Sequence, residues 1–179
     1  MGILIGVGVV VAIIAMWFIS TSNKLNIAIV KIDEADSGID VALTKRHDVL
    51  VKMLDTVKGY TKHEKDTLKD VVQLRSGMTT QEKITANEEM SKQLSQLQIM
   101  VENYPELKAS ENFKSLQLSI TDVEEHLQAA RRLFNSNVSS FNQMIVTFPT
   151  SIIANMKALT KKDFFEATEE EKKDVKMEF

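Results

Sequence analysis

The sequence predicts an all-α protein, with an N-terminal transmembrane helix followed by an antiparallel, coiled-coil-like helical bundle. The bundle is expected to hold three long helices and a short C-terminal one, in a four-helix-bundle-like arrangement. Three observations lead there. Residues 3–19 read ILIGVGVVVAIIAMWFI, without a charge. Apolar residues then recur at alternating steps of four and three along long stretches of the chain, the spacing of a coiled-coil seam. Breakers are scarce: the 179 residues contain two prolines and six glycines, and three of those glycines (Gly2, Gly6, Gly8) fall in the first eight positions. Such a composition favours long helices.

As a helix, the apolar run is about 26 Å long, just enough for the hydrocarbon core of a bilayer. Trp17 and Phe18 close it with the aromatic anchor expected at an interface, and residues 20–24 turn polar. A cleaved signal peptide is the competing reading. It requires a basic region before a shorter apolar stretch and a small-residue cleavage site. No Lys or Arg precedes this run, and only Ser20 and Ser22 resemble cleavage positions, so a retained anchor over 1–22 is expected. Lys24 and Lys31 follow the run, with Asp33 and Glu34 close behind. The positive-inside rule then places the N-terminus outside and the bulk of the chain in the cytoplasm of a single-pass cell-membrane protein.

The first seam runs through Leu25, Ile29, Ile32, Asp36, Ile39, Leu43, Arg46, Leu50, Met53, Val57, Tyr60, Glu64, Thr67, Val71 and Leu74, eleven of fifteen being apolar or aromatic. One helix is expected to reach Ser76, with Gly77 as its C-terminal cap. The stretch Thr79, Thr80, Gln81, Glu82 matches a capping box that starts the second helix. Its seam is Met90, Leu94, Leu97, Val101 and Tyr104, and Pro105 stops it. A third helix is expected after Ser110, with seam residues Phe113, Leu116, Ile120, Val123, Leu127, Ala130, Phe134, Asn137, Phe141, Met144 and Phe148. Asn137 is the one polar position, and a single polar residue on a seam fixes register. Pro149 closes this helix. Residues 151–159 read as a short apolar helix docked on the bundle or lying near the membrane surface, with Phe164 and Phe165 behind it. The bundle is assigned to 23–166 and a charged tail to 167–179. No stripe can be buried by its own helix, so the three long helices must pack antiparallel. Part of the longest would then be open to the C-terminal segment or to a second molecule.

Composition excludes several classes of chemistry. A formal net charge of −3 leaves no basic footprint for nucleic acid. The absence of cysteine removes disulfides, thiolate metal sites and cysteine nucleophiles. His63-Glu64 resembles half of a zinc-protease motif, but the position of the second histidine is Thr67. Asp33, Asp36, Asp40 and His47 share a helical face and are the candidate ligands of a hard cation. A carboxylate-bridged di-metal bundle would need Glu-x-x-His pairs, and Val123 stands three before His126. Interhelical salt bridges to Arg131 or Arg132 are the simpler account of these acids. No glycine elbow surrounds any serine, and no phosphate-binding glycine loop occurs. No catalytic residue, cofactor-binding residue or metal ligand is assigned, and no cofactor or small-molecule substrate is expected.

Two blocks of residues resemble a known family. The first holds Asp33-Glu34-Ala35, Ile39-Asp40-Val41, Leu43, Arg46, Thr56-Val57-Lys58-Gly59-Tyr60, His63-Glu64 and Thr67-Leu68. The second holds Tyr104-Pro105-Glu106-Leu107-Lys108-Ala109, Glu111-Asn112-Phe113, Ala129-Ala130-Arg131-Arg132, Phe134-Asn135, Asn142 and Phe148-Pro149. In this order, behind an apolar N-terminus, they resemble LemA proteins over about residues 24–166. The resemblance implies a bacterial membrane protein with a short outside N-terminus, a cytoplasmic antiparallel helical bundle and no enzymatic activity. Asp36 stands where the family usually has Trp, and Val51 where it often has Pro, which implies a straighter first helix.

The expected role is therefore that of a non-enzymatic membrane-tethered scaffold or interaction protein. It is held to the lipid bilayer by the N-terminal helix and engages a protein partner, or a second copy, through the long first helix. The alternatives are a membrane-linked signalling or sensor stalk and a metal-binding bundle built on Asp33, Asp36, Asp40 and His47.

Overall fold

The computed structural model describes residues 1–60 and 71–165. Among these residues all regular structure is α-helical: α1 (Gly2–Tyr60), α2 (Thr80–Glu102), α3 (Pro105–Ala109), α4 (Glu111–Val146) and α5 (Thr150–Met156). Glu64 and Thr67 of the expected first seam, His63, and the tail 167–179 lie outside the described residues.

α1 contains no proline and runs without a break from the apolar stretch into the heptad region. Its N-terminal part is long and apolar enough to cross a membrane, and none of its most apolar window is buried within the chain. Burial begins past that stretch, at Thr21 and Leu25.

The described chain falls into two compact units. The first comprises Met1–Asp36 and Leu133–Phe164, the second Ser37–Arg132 and Phe165–Phe179. In the first, Leu25, Ala28, Ile32 and Ala35 of α1 are buried, as are Phe134, Val138, Phe141 and Ile145 of α4 and Ile153 and Ala154 of α5. Asn137 sits among the α4 residues and donates through Nδ2 to the Lys31 carbonyl at 2.9 Å. A directional bond of this kind suits a polar residue that fixes register. In the second unit the core is Ile39, Leu43, Leu50, Met53 and Val57 of α1, with Met90, Leu97 and Val101 of α2, Leu107 of α3, and Phe113, Ile120, Val123 and Leu127 of α4. The expected α1 seam is thus buried or half-buried from Leu25 to Val57, with Arg46 included.

The structure departs from expectation at the ends of elements. The first helix was expected to reach Ser76, yet Val71, Leu74 and their neighbours over 71–75 are not helical, and Tyr60 is exposed. The residues that lead into this stretch lie outside the described ones, and within it only Val71 is buried. Gly77 takes a positive φ of 78° in a turn and does not cap a helix. Pro105 does not merely stop α2, which closes at Asn103. It is the first residue of α3, where its missing N–H costs nothing. Phe148 was placed on the α4 seam, but the helix ends at Val146 and the ring is 78% exposed. The short helix ends at Met156, before the expected Leu159, because Ala158 enters the left-handed region at φ 52°. The Leu159 N–H then turns back to the Ala154 carbonyl at 3.0 Å. Phe165 is buried, but against Arg131 of α4, whose guanidinium lies 5.1 Å from the ring centre.

Both predicted helix starts are built as the sequence implies. The Ser110 hydroxyl accepts from the Phe113 N–H at 3.3 Å and donates to the Leu107 carbonyl at 2.8 Å, so it joins α3 to α4. At α2, the Thr79 N–H donates to Glu82 Oε2 at 2.7 Å and the Glu82 N–H donates to Thr79 Oγ1 at 3.3 Å, completing the capping box. The Thr79 N–H is the main cause that holds the Glu82 carboxyl below its ordinary value of 4.5, followed by the Thr79 hydroxyl, with a smaller contribution from Arg75. A depressed carboxyl stabilises the fold above its ordinary pKa and loses that contribution as pH falls through the folded value. Thr79→Ala is expected to cost about 1 kcal/mol at neutral pH. In urea titrations its gap from the parent should narrow below pH 4.5. A gap independent of pH would mean that the Thr79 hydroxyl does not help to hold the Glu82 carboxylate, since the backbone N–H of residue 79 survives the substitution.

A candidate functional site in a buried polar cluster

The polar side chains that converge in the second unit meet at Arg46. Its place on the α1 seam directs it inward, and it is 3% exposed. A guanidinium carries five donors in a planar fork and remains charged when buried, so its partners must be acceptors. Nη1 donates to the Asn87 carbonyl at 2.9 Å and to the Asn87 side-chain oxygen. Nη2 donates to Ser91 Oγ at 3.0 Å and pairs with Glu124 Oε1 at 2.6 Å. Ser91 in turn donates to the Asn87 carbonyl at 3.0 Å. One side chain of α1 thereby ties α2 to α4. One turn earlier on α2, buried Lys83 pairs with Asp40 of α1 at 2.7 Å. The Asp40 side chain remains about half exposed, at 54%.

Lys83, Asn87 and Ser91 follow one another at intervals of four, so one face of α2 supplies them all. That spacing is their sequence signal, and the apolar seam beginning at Met90 runs beside it on the same helix. Arg46 is visible as the one basic residue on a mostly apolar seam. Nothing local to Glu124 distinguishes it from other surface acids.

The expected acidic face behaves differently. Asp40 is given to Lys83, not to Arg131 or Arg132, and His47 Nδ1 lies 3.5 Å from its neighbour Asp48. Asp33, Asp36, Asp40 and His47 form no metal-ligating group, and among the described residues no three His, Cys, Asp or Glu side chains converge to hold an ion. Metal ligands must crowd around one point, and of these four residues Asp40 faces Lys83 instead.

The first unit carries a groove of about 280 Å³ lined by Lys24, Ile27, Ala28, Lys31, Asn137, Ser140 and Met144. It opens just beyond the apolar stretch of α1, and its two cations belong to that helix.

Fold and clusters together define an all-helical protein whose N-terminal helix has the length and composition of a membrane span and whose polar interior serves to join helices. The family model described as the LemA family matches residues 35–179, and the chain belongs to the LemA family. It is 32% identical over 163 residues to Protein LemA of Metamycoplasma hominis, covering 88% of this chain and 74% of that protein. It is also 25% identical over 72 residues to Magnetosome protein MamQ of Magnetospirillum gryphiswaldense, covering 40% of this chain and 26% of that protein.

Proposed function

We infer that the protein is a non-enzymatic, membrane-tethered helical scaffold whose bundle presents surfaces to other proteins of the cell envelope. One observation carries this reading: a fully exposed apolar helix, suited to lipid, continues without a break into the region where α1 supplies the core. The helices beyond the span act as an antiparallel four-helix-type bundle, with heptad burial along α1 and α4 as support. Lys24 and Lys31 after the span favour a cytoplasmic bundle. The Arg46 cluster supports a structural role, because its donors and acceptors are engaged with one another. A partner, or a second copy, would meet side chains of α1 that stay exposed, such as Val41 at 57%. The continuity of α1 also favours a second reading, a stalk that passes a membrane event along the helix. Disulfide crosslinks along α1 that change with a stimulus would select the stalk.

Topology is the direct test. The chain has no cysteine, so a single Gln98→Cys on the exposed face of α2 reports alone. With the protein in the membrane fraction, an impermeant maleimide is expected to label it only after cell lysis. Labelling of intact cells would reverse the orientation, and recovery in the soluble fraction would remove the tether.

A further inference from the structure

We propose that the turn at Phe148 and helix α5, with the lysines that follow, form a second membrane contact: a basic and apolar foot seated on the anionic surface of the bilayer that α1 crosses. The proposal rests on the anchor reading above.

Placement comes from pairings inside the first unit. Asn137 bonds to the Lys31 carbonyl, and Met144, seven residues on, lines the same groove as Lys24, seven residues back. α4 therefore approaches the apolar run as its numbering rises. Carried on to Val146, the last residue of α4, the same pairing reaches Ser22, three residues past Ile19 where the apolar run ends. The chain turns there into α5, and Lys157 Nζ donates to Asn26 Oδ1 at 2.9 Å. Asn26 is seven residues beyond Ile19, about 10 Å along the helix. Asn142 exchanges two bonds with the Lys162 backbone, both 2.9 Å, which fixes the following segment to α4. The foot thus occupies the first turns of space beyond the hydrocarbon, where headgroups lie.

Its chemistry suits that position. α5 buries Ile153 and Ala154 but leaves Ile152 and Met156 exposed, beside the exposed Phe148 and Val146. Single exposed apolar residues are ordinary, but four within eleven residues at the end of a span are not scattered. Residues 20–31 and 142–164 carry five lysines (Lys24, Lys31, Lys157, Lys161, Lys162) against one acid, Asp163. An apolar face rimmed by lysines is the pattern of an interfacial helix on anionic lipid. Continuity with the span keeps a bilayer always within reach, which no soluble partner matches.

The test uses the full chain in liposomes, with single cysteines carrying a nitroxide at Ile152, and at Met156 as a second position. Val10 in the apolar run and Leu118, exposed in the other unit, serve as controls. Collision with lipid-dissolved oxygen is compared with collision with an aqueous nickel chelate. In phosphatidylcholine containing phosphatidylglycerol, the labels at Ile152 and Met156 are expected to favour oxygen, as Val10 does, while Leu118 favours nickel. Both should shift toward nickel in phosphatidylcholine alone, and likewise in the K157E/K161E/K162E variant. Nickel access at Ile152 and Met156 with Val10 in lipid overturns the foot and leaves the anchor. Shielding from both reagents overturns it in favour of a protein cover. Oxygen access that ignores both lipid charge and charge reversal overturns the choice of an anionic surface. Nickel access at Val10 overturns the anchor reading, and this proposal with it.

Discussion

Replacing Arg46 by alanine is expected to destabilise the Ser37–Arg132 unit by about 3 kcal/mol, the lower end of the range for breaking a buried ion pair. The loss has two sources. Asn87, 1% exposed, keeps a carbonyl and a side-chain oxygen that no longer receive the guanidinium donors. Buried acceptors without donors cost their full desolvation. Glu124 loses its 2.6 Å partner, but its side chain is 32% exposed, so water compensates in part. That exposure is why the low end of the range applies. Arg46→Lys should fall between, at about 1–2 kcal/mol, because an ammonium keeps the charge but cannot fork to Asn87, Ser91 and Glu124 together. Lys83→Met is the contrasting control. It removes a buried cation whose partner Asp40 is half exposed and can rehydrate, so it should be near neutral. Urea unfolding of the full chain in detergent micelles, followed by helicity, reads all three. An Arg46→Ala protein within about 0.5 kcal/mol of the parent would show that the cluster joins nothing. On the scaffold reading, the same variant should remain in the membrane fraction while losing partner binding, because the tether and the polar cluster are separate parts of the chain.

The heptad spacing made α1 legible from Leu25 to Val57 because one period held both the helix and its buried face. The same spacing did not carry to Val71 and Leu74, which are not helical, and the period that leads to them passes through two polar positions, Glu64 and Thr67. It also proved too narrow. Val138 and Ile145 are buried beside the expected α4 positions, because a helix packed on several neighbours buries a wider stripe than a two-stranded seam. Residues with dual meanings misled at the joints. Pro105 reads as a stop and is a start, and Phe148 keeps the period after the helix has ended. Of the polar cluster, Arg46 could be read from sequence and Glu124 could not. A cation on an apolar seam announces a buried partner, but the identity of that partner depends on which helices pack together. The acidic face at Asp33, Asp36 and Asp40 shows the converse: shared periodicity made a metal site conceivable, and a lysine on α2 took the carboxylate nearest to it.

Phe141→Ala is expected to produce the largest effect in the first unit, about 3–5 kcal/mol, the range for emptying a fully buried aromatic position. Phe141 is 1% exposed and is flanked along α4 by Val138 and Ile145, both buried. The next residue, Asn142, holds the Lys162 segment, and Asn137, one turn earlier, holds Lys31. A cavity at 141 therefore loosens the stretch of α4 that carries both polar ties. Phe141→Leu, which keeps most of the volume, should cost much less, about 1.5 kcal/mol. Hydrogen exchange on the full chain separates a local effect from a general one. Protection should fall for the Ser151 N–H, bonded to the Thr147 carbonyl at 2.9 Å, and for the Lys157 N–H, bonded to Ile153 at 3.1 Å. Amides of α2 should keep theirs, since α2 belongs wholly to the other unit. Equal loss of protection in both would mean that the chain opens as one cooperative body, and the division into two units would have no energetic content. Selective loss would show that the first unit can loosen while the Arg46 cluster stays closed. A tethered scaffold needs that separation if the unit that contains the anchor is to adjust without releasing what the other unit holds.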